Sequence, residues 1–246
     1  MVFELDFREN SAGLLGMLSD LQRKHLPRAT LRAVERTGRY VYVALRSEAE
    51  ESFDRPTRWT MQAVQINRAT IDKPWLSIWI NDDPNKGTPA SVYLSPQIEG
   101  GARRHKRFER ALIMRGLMSP MAYAVPGKQA PLDQHGNVPG AFIVRVLSDL
   151  QAFGEQGYRA NRRGKRRGAR RTNYFFVPAH GSSLRPGVYW HMPNGMLGVV
   201  FAFVSRPAYA KRYDWYGTAD RAFHRVALRH MTEELERAVR GDNSRR

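Results

Sequence analysis

Side chains able to do chemistry are sparse in this chain and far apart. Seven histidines are scattered through 246 residues and there is no cysteine, which excludes a thiolate metal site, a Cys nucleophile and a disulfide framework. His224 and His230 stand six apart in a helical stretch, a spacing that puts them on different faces and excludes a helical metal pair. His191 lies in a strand-like stretch and reads as a packed or half-exposed histidine. Metal-assisted phosphoryl transfer needs two or three converging carboxylates. Asp82 with Asp83, Asp133, and Asp149 with Glu155 are of the right type, but none has a diagnostic spacing, and Asp82-Asp83-Pro84-Asn85 reads as turn chemistry. There is no phosphate-binding glycine loop, dinucleotide fingerprint, helical zinc motif or nucleophile elbow. The chain is expected not to be an enzyme and to need no cofactor or metal.

The dense chemical signal is a run of charge. Residues Arg159 to Arg171 read RANRRGKRRGARR, with eight cations (Arg159, Arg162, Arg163, Lys165, Arg166, Arg167, Arg170 and Arg171), no acid, and no apolar side chain larger than alanine. Burying so many like charges would cost far more than the alanines return, so a solvated loop is predicted that orders only against a negative partner. The chain carries +17 overall. Without the eight loop charges +9 remains, and a field of that sign favours nucleic acid, an anionic membrane surface or an acidic protein face. Tyr174, Phe175, Phe176, Tyr189 and Trp190 follow the loop. They could form a stacking platform for single-stranded nucleic acid. Without any RNP-like sequence, alternation between a core face and an interface face is the favoured reading.

The elements that must position these residues are legible from periodicity. Phe3, Leu5 and Phe7 alternate with Glu4 and Asp6 as in a short strand, and Ser11 to Gln22 reads as a helix with Leu14, Leu15, Leu18 and Leu21 on one face. A long helix is predicted from Pro27 to Ser52, with Ala29, Ala33, Tyr40, Val43 and Ala44 near one stripe and Leu31, Val34, Val41 and Leu45 widening it. Pro56 ends it. Strands are predicted at Ile66–Ile71, Trp75–Ile80 and Val92–Leu94, with a turn over Asp82–Gly87 between the last two. Residues 95 to 140 are rich in loops, with one helical piece at Arg104–Arg115, and a second helix is predicted over Phe142–Phe153. Three strands follow at Tyr174–Val177, Val188–Met192 and Leu197–Val204, the last two joined by a tight turn at Pro193-Asn194-Gly195. Thr218 and Asp220 are expected N-caps for an amphipathic helix over 220–240, and the tail GDNSRR is expected to fray.

Segregated rather than alternating elements predict an α+β fold. An antiparallel sheet would be packed by a long N-terminal helix and a C-terminal helix. The expectation is one domain over 1–246 with a loop-rich, basic insertion at 95–172. The first residues lack the basic and apolar regions of a signal peptide, and no apolar run approaches the roughly 20 residues of a membrane span. A protein assembled in the cytoplasm without a membrane anchor is expected.

Three stretches together resemble the tail-completion proteins of tailed bacteriophages, the minor tail protein Z-like group. They are LPRATLRAVERTGRYVYVALRSEAEESFDRPTRWTMQAVQI, then YLSPQIEGGARRHKRFERAL with PGKQAPLDQHGNVPGAFIVRVLSDLQAF, and RPGVYWHMPNGMLGVVFAFVSRPAYAKRYDWY. These are structural patterns that bring no catalytic residues with them. This chain is longer than compact members of the group, chiefly through 95–172. The resemblance implies a virion subunit, assembled in the host cytoplasm, that forms a ring completing the tail or joining tail to head. Its implied partners are copies of itself, neighbouring neck or tail proteins, and packaged DNA in the channel. The basic loop would contact that DNA or an acidic face of an adjoining ring. The rival expectation is a stand-alone, sequence-independent nucleic-acid-binding protein using the Arg-rich loop. A metal nuclease is a weaker third.

Overall fold

The computed structural model describes residues 23, 25–83, 87–152, 174–192 and 194–243. The expected strand at Phe3–Phe7 and helix at Ser11–Gln22 lie outside the described residues. The fold is α+β with antiparallel sheets, and a long N-terminal helix packs on the C-terminal one. The chain forms two compact units, Met1–Leu94 with Arg212–Arg246, and Ser95–Lys211.

The first unit is organised by α1 (Leu26–Ser52) and α6 (Trp215–Asn243). On α1 the buried positions include Ala29, Ala33, Thr37, Val41, Leu45 and Ala49, and on α6 Thr218, Ala222, Val226, His230 and Glu234. Each set recurs every fourth residue, the row that intermeshes when two helices pack ridge into groove. Alanine and threonine keep both rows low, so the helices can approach closely. Pro27 sits in the first turn of α1, where its missing N–H costs nothing. At the other end Phe53 is extended (φ −111°, ψ 131°) and ends the helix three residues before Pro56.

Tyr213, 1 % exposed, ties the start of α6 to α1 by donating its hydroxyl to the Leu45 carbonyl at 3.0 Å. A one-turn helix α2 (Arg58–Met61), capped by the Thr57 hydroxyl, leads into the hairpin of β1 (Val64–Ile66) and β2 (Ile78–Ile80). Val64 and Ile78 join Val41, Leu45 and Ala222 in this unit's core.

Four expectations change here. The strand expected at Ile66–Ile71 stops at Ile66, because Thr70 and Lys73 bond each other's backbone in a turn (3.0 and 3.1 Å). The strand expected at Trp75–Ile80 is only Ile78–Ile80, since Pro74-Trp75-Leu76 lies as an arm whose Leu76 packs onto Gly38 of α1. Val92–Leu94 is not a strand but part of helix α3 (Ala90–Ile98); Ala90, Leu94 and Ile98 are its buried row, so helical packing overrides the β-propensity of Val-Tyr-Leu. Finally, α6 starts at Trp215 with Asp214 as its cap, accepting the Gly217 N–H at 3.1 Å, rather than at Thr218 or Asp220. It continues to Asn243 instead of ending at 240.

The second unit is built on a four-stranded antiparallel sheet in the order β4 (Tyr123–Pro126), β7 (Leu197–Val204), β6 (Gly187–His191) and β5 (Tyr174–Phe176). Helices α4 (Arg107–Met114) and α5 (Gly140–Asp149) complete its core, where Phe108, Leu112, Val146, Leu147, Phe175, Val188, Val200 and Phe201 are buried together. A two-residue pair, β3 (Gly101–Ala102) with β8 (Ala208–Tyr209), lies outside that sheet. The β6–β7 turn is as expected: Gly195 has φ +78° and gives its N–H to the Met192 carbonyl at 3.0 Å. The unit begins where the insertion was expected to begin. It runs past 172 to Lys211 because Val188, Val200 and Phe201 supply the apolar surface that Phe108 and Leu112 need.

Glycine matters sharply in this sheet where a Cβ would meet backbone, as at Gly127 and Gly187. Gly127 gives its N–H to Val200 O at 2.8 Å, and a Cβ there would collide with the backbone carbonyl of Val199, which cannot rotate away. Gly127→Ala should therefore lower stability by about 2 kcal/mol, the cost of overpacking. Gly140→Ala, at the open first turn of α5 with nothing near its Cβ, should raise stability by about 0.5 kcal/mol. Chemical denaturation of the two variants checks both signs.

Candidate interaction surfaces

The predicted contact residues Arg159, Arg162, Arg163, Lys165, Arg166, Arg167, Arg170 and Arg171 all fall within 153–173, outside the described residues. The carboxylates considered for metal chemistry do not converge. Asp133 accepts the N–H groups of His135 (2.9 Å) and Asn137 (2.8 Å), which is turn chemistry. Asp82 and Asp83 are exposed, and the Asp83 N–H bonds the Asn81 side chain at 3.0 Å. Glu155 lies outside the described residues. Among the described residues no three His, Asp or Glu side chains gather as metal ligands would, and no helix is long and apolar enough to cross a membrane. Of the two helical histidines, His230 is buried and His224 exposed.

The sheet aromatics are largely spoken for by packing. Phe175 is buried and meets Phe142 of α5 at 5.4 Å and Trp190 at 5.7 Å, and the Arg145 guanidinium lies over the Phe175 and Trp190 rings at 5.5 and 5.9 Å. On alternate positions Phe176 stacks on Tyr189 at 5.8 Å. Tyr189 is itself buried, with its hydroxyl on the Arg185 carbonyl. These rings present no open row for successive bases.

A cationic surface emerges elsewhere in the second unit. Residues 103–110, RRHKRFER, hold five cations against one acid, and Arg104, Lys106, Arg107 and Arg110 are exposed. The acid, Glu109, is completely buried and organises the segment. Its carboxylate takes a bidentate bond from Arg103 (2.7 and 2.5 Å) and the backbone N–H groups of Lys106 (2.6 Å) and Ala124 (2.8 Å). Arg103 lies over the Tyr123 ring at 5.0 Å, and His105 stacks on that ring at 4.3 Å. Burial pushes the Glu109 carboxyl up, but its bonds from Arg103, Lys106 and Ala124 outweigh that and hold it below the usual carboxylate range. The exposed cations thus stand on a backbone held from beneath. Most of this run falls within the helical piece expected at Arg104–Arg115, and its density of arginine is the signal in the sequence that marks it as a surface.

The first unit presents a surface of opposite character. Beside the α1–α6 seam runs an open groove of about 620 Å³, lined by Val34 and Val41 of α1, Phe223, Ala227 and Met231 of α6, and Trp75. Trp75 is 58 % exposed and Phe223 49 %. Large rings left open in a continuous apolar groove mark a contact surface rather than scattered exposure. A smaller hollow, lined by Tyr42, Arg46, Trp59, Gln62 and Gln65, flanks β1.

Near the middle of the seam is a polar cluster with Thr37, His230 and Glu234 buried. His230 Nδ1 meets Thr37 Oγ1 at 3.1 Å. Glu234 takes bonds from Arg36 and Arg237 at 2.6 Å each, and Glu233 one from Arg36 at 2.7 Å. Burial, then the charges of Arg36 and Arg229, push the His230 imidazole below its usual value.

Comparison of the chain with protein-family models, with curated proteins and with solved structures returned no match.

Two titrations should be separable in the pH dependence of stability. Both groups have depressed values when folded, so each contributes stability above its unfolded pKa that is lost as pH falls. The loss from His230 begins below about pH 6.5 and that from Glu109 below about pH 4.3. His230→Asn should flatten the upper part of the curve, measured as melting temperature against pH, and leave the lower part. Glu109→Gln should flatten the lower part and cost about 3 kcal/mol at neutral pH, because it strands Arg103.

Proposed function

We propose that the protein is a structural virion subunit of a tailed phage, assembling into a ring that completes the tail or joins it to the head. The observation that carries the assembly part is the open apolar groove of the first unit, with Trp75 and Phe223 half exposed along it. A ring repeats one heterologous contact, so each copy needs a surface of this kind that its own fold leaves uncovered. The tailed-phage part rests on the resemblance of the three sequence stretches. The cationic segment Arg103–Arg110, together with the basic run Arg159–Arg171, gives such a ring a partner of negative charge. Packaged DNA in a channel, or an acidic face of an adjoining ring, has that character, and contacts to phosphate would be independent of sequence and sensitive to salt.

The rival reading, a stand-alone nucleic-acid-binding protein, is favoured by the same cations but leaves the groove without a role. Its stacking version is weakened by the packing of Phe175 and Tyr189. Mass photometry of the full chain distinguishes the two. Oligomers are expected, with Phe223→Asp shifting them toward single chains while the far-ultraviolet circular dichroism is unchanged. A single chain at all concentrations, with tight, salt-sensitive oligonucleotide binding and no copies in purified virions, would overturn the proposal. Reversing Arg104 and Arg110 to glutamate should leave assembly intact and reduce the salt slope of DNA binding by about 2, one per lost phosphate contact.

A further inference from the structure

The smaller hollow beside β1 contains backbone groups that the fold leaves unused. Among the described residues β1 pairs with β2 alone, Val64 opposite Ile80 and Ile66 opposite Ile78. The Asn81 N–H bonds the Ala63 carbonyl at 2.8 Å, and the Asn67 N–H bonds the Ser77 carbonyl at 3.2 Å. Bonded positions alternate along an antiparallel strand, so Ala63, Gln65 and Asn67 turn their backbone groups toward β2. The N–H and C=O groups of Val64 and Ile66 therefore point off the opposite edge, where they meet no hydrogen-bond partner among the described residues. Val64 is 3 % exposed, and backbone groups so far from bulk water are nearly always bonded to something.

The hollow opens along that edge. Its lining includes Val64, Gln65 and Ile66 and, among the described residues, none of β2; its volume is about 480 Å³. Val64-Gln65-Ile66 carries no charge, proline or bulge, three of the devices that keep foreign strands off an edge. The unused groups recur every second residue, about 6.8 Å apart, a donor with an acceptor each time. The backbone of another extended chain has that spacing and that alternation. One position on from Val41 and Leu45, which pack with Val64, stand Tyr42 and Arg46. Arg46 is the one charged side chain of the lining. It is half-buried, bonds the Tyr42 hydroxyl at 3.2 Å and lies over the same ring at 5.7 Å, and no carboxylate among the described residues pairs with it. Trp59, in the wall, is 47 % exposed.

We propose that β1 is a docking edge for an extended, acidic peptide segment of a partner protein, which adds to the hairpin as a third strand. The segment's backbone bonds Val64 and Ile66, its carboxylate meets Arg46, and an apolar side chain covers Trp59. This site is separate from the groove between α1 and α6, and it stands whether or not the chain forms a ring.

The test uses the full chain and a pool of capped peptides of about six residues, the usual strand length, randomised among apolar, acidic and hydroxyl side chains. A bound peptide should slow amide hydrogen exchange at Val64 and Ile66 and leave Gln65, already bonded to β2, unchanged. The tightest binders should contain an acid and lose about tenfold in affinity when it becomes the matching amide. Arg46→Gln should cost the same tenfold and make the acid-to-amide change neutral. Ile66→Pro removes a donor that the β1–β2 ladder does not use, so it should keep the fold and abolish binding. If that variant fails to fold, the Arg46→Gln comparison still decides. No peptide binding, or binding without protection of Val64 and Ile66, overturns the inference. So does an oligothymidylate that quenches Trp59 without protecting those amides, which would give the hollow to nucleic acid. Protection already present in the free protein and lost on dilution would make a second copy the occupant, and overturns it equally.

Discussion

Two helices from opposite ends of the described chain are held together along rows of small side chains, and the first unit is arranged around that contact. Ala29, Ala33, Thr37 and Ala49 on α1, with Thr218 and Ala222 on α6, let the two backbones come near one another. Tyr213 ties one end of the seam, and the cluster of Arg36, Thr37, His230 and Glu234 lies near its middle. The β1–β2 hairpin sits where larger residues, Val41 and Leu45, widen it. A seam made of small residues is narrow, however. The larger side chains that flank it, Val34 on one helix and Phe223 on the other, are left as the walls of a trough. Close packing and an open groove are thus two results of the same choice of residues.

The second unit answers a different physical demand. It must display several like charges on a fixed surface, and a carboxylate kept out of water under the segment makes that possible. Glu109 neutralises Arg103 and ties two backbone N–H groups, leaving neighbouring cations directed elsewhere. Removing charge from an exposed position would alter only binding, whereas removing it from this buried pair would alter the shape of the display. The two units therefore differ in kind: one offers apolar surface, the other charge.

Much of this architecture is legible in the residues. The long helix, the tight turn at Asn194-Gly195 and the strand over Leu197–Val204 carry periodicity or turn chemistry strong enough to fix them locally. What escaped was decided by partners distant in sequence. Val92-Tyr93-Leu94 has strand propensity, yet the buried row Ala90, Leu94 and Ile98 makes it helical. Asp214 displaces two better-placed caps because Tyr213 is anchored to Leu45. The surfaces were harder still. The run at 159–171 stands out by composition alone, whereas the groove exists only once α1 and α6 are side by side, and Arg103–Arg110 becomes a surface only once Glu109 is buried.

Where the second unit interrupts the first has a consequence for the order of events at the ribosome. Thr37 and His230 are 193 positions apart, so α1 is made early and must wait for its partner until all of Ser95–Lys211 has been translated. At roughly 10 residues per second that interval is on the order of ten seconds. The usual order, N-terminal part first, is inverted: the inserted unit has its complete core in hand while the surrounding one still exposes an unpaired apolar stripe. A nascent chain in that condition is most vulnerable to premature association through the very helix that later lines the groove, and completion of α6 ends that interval.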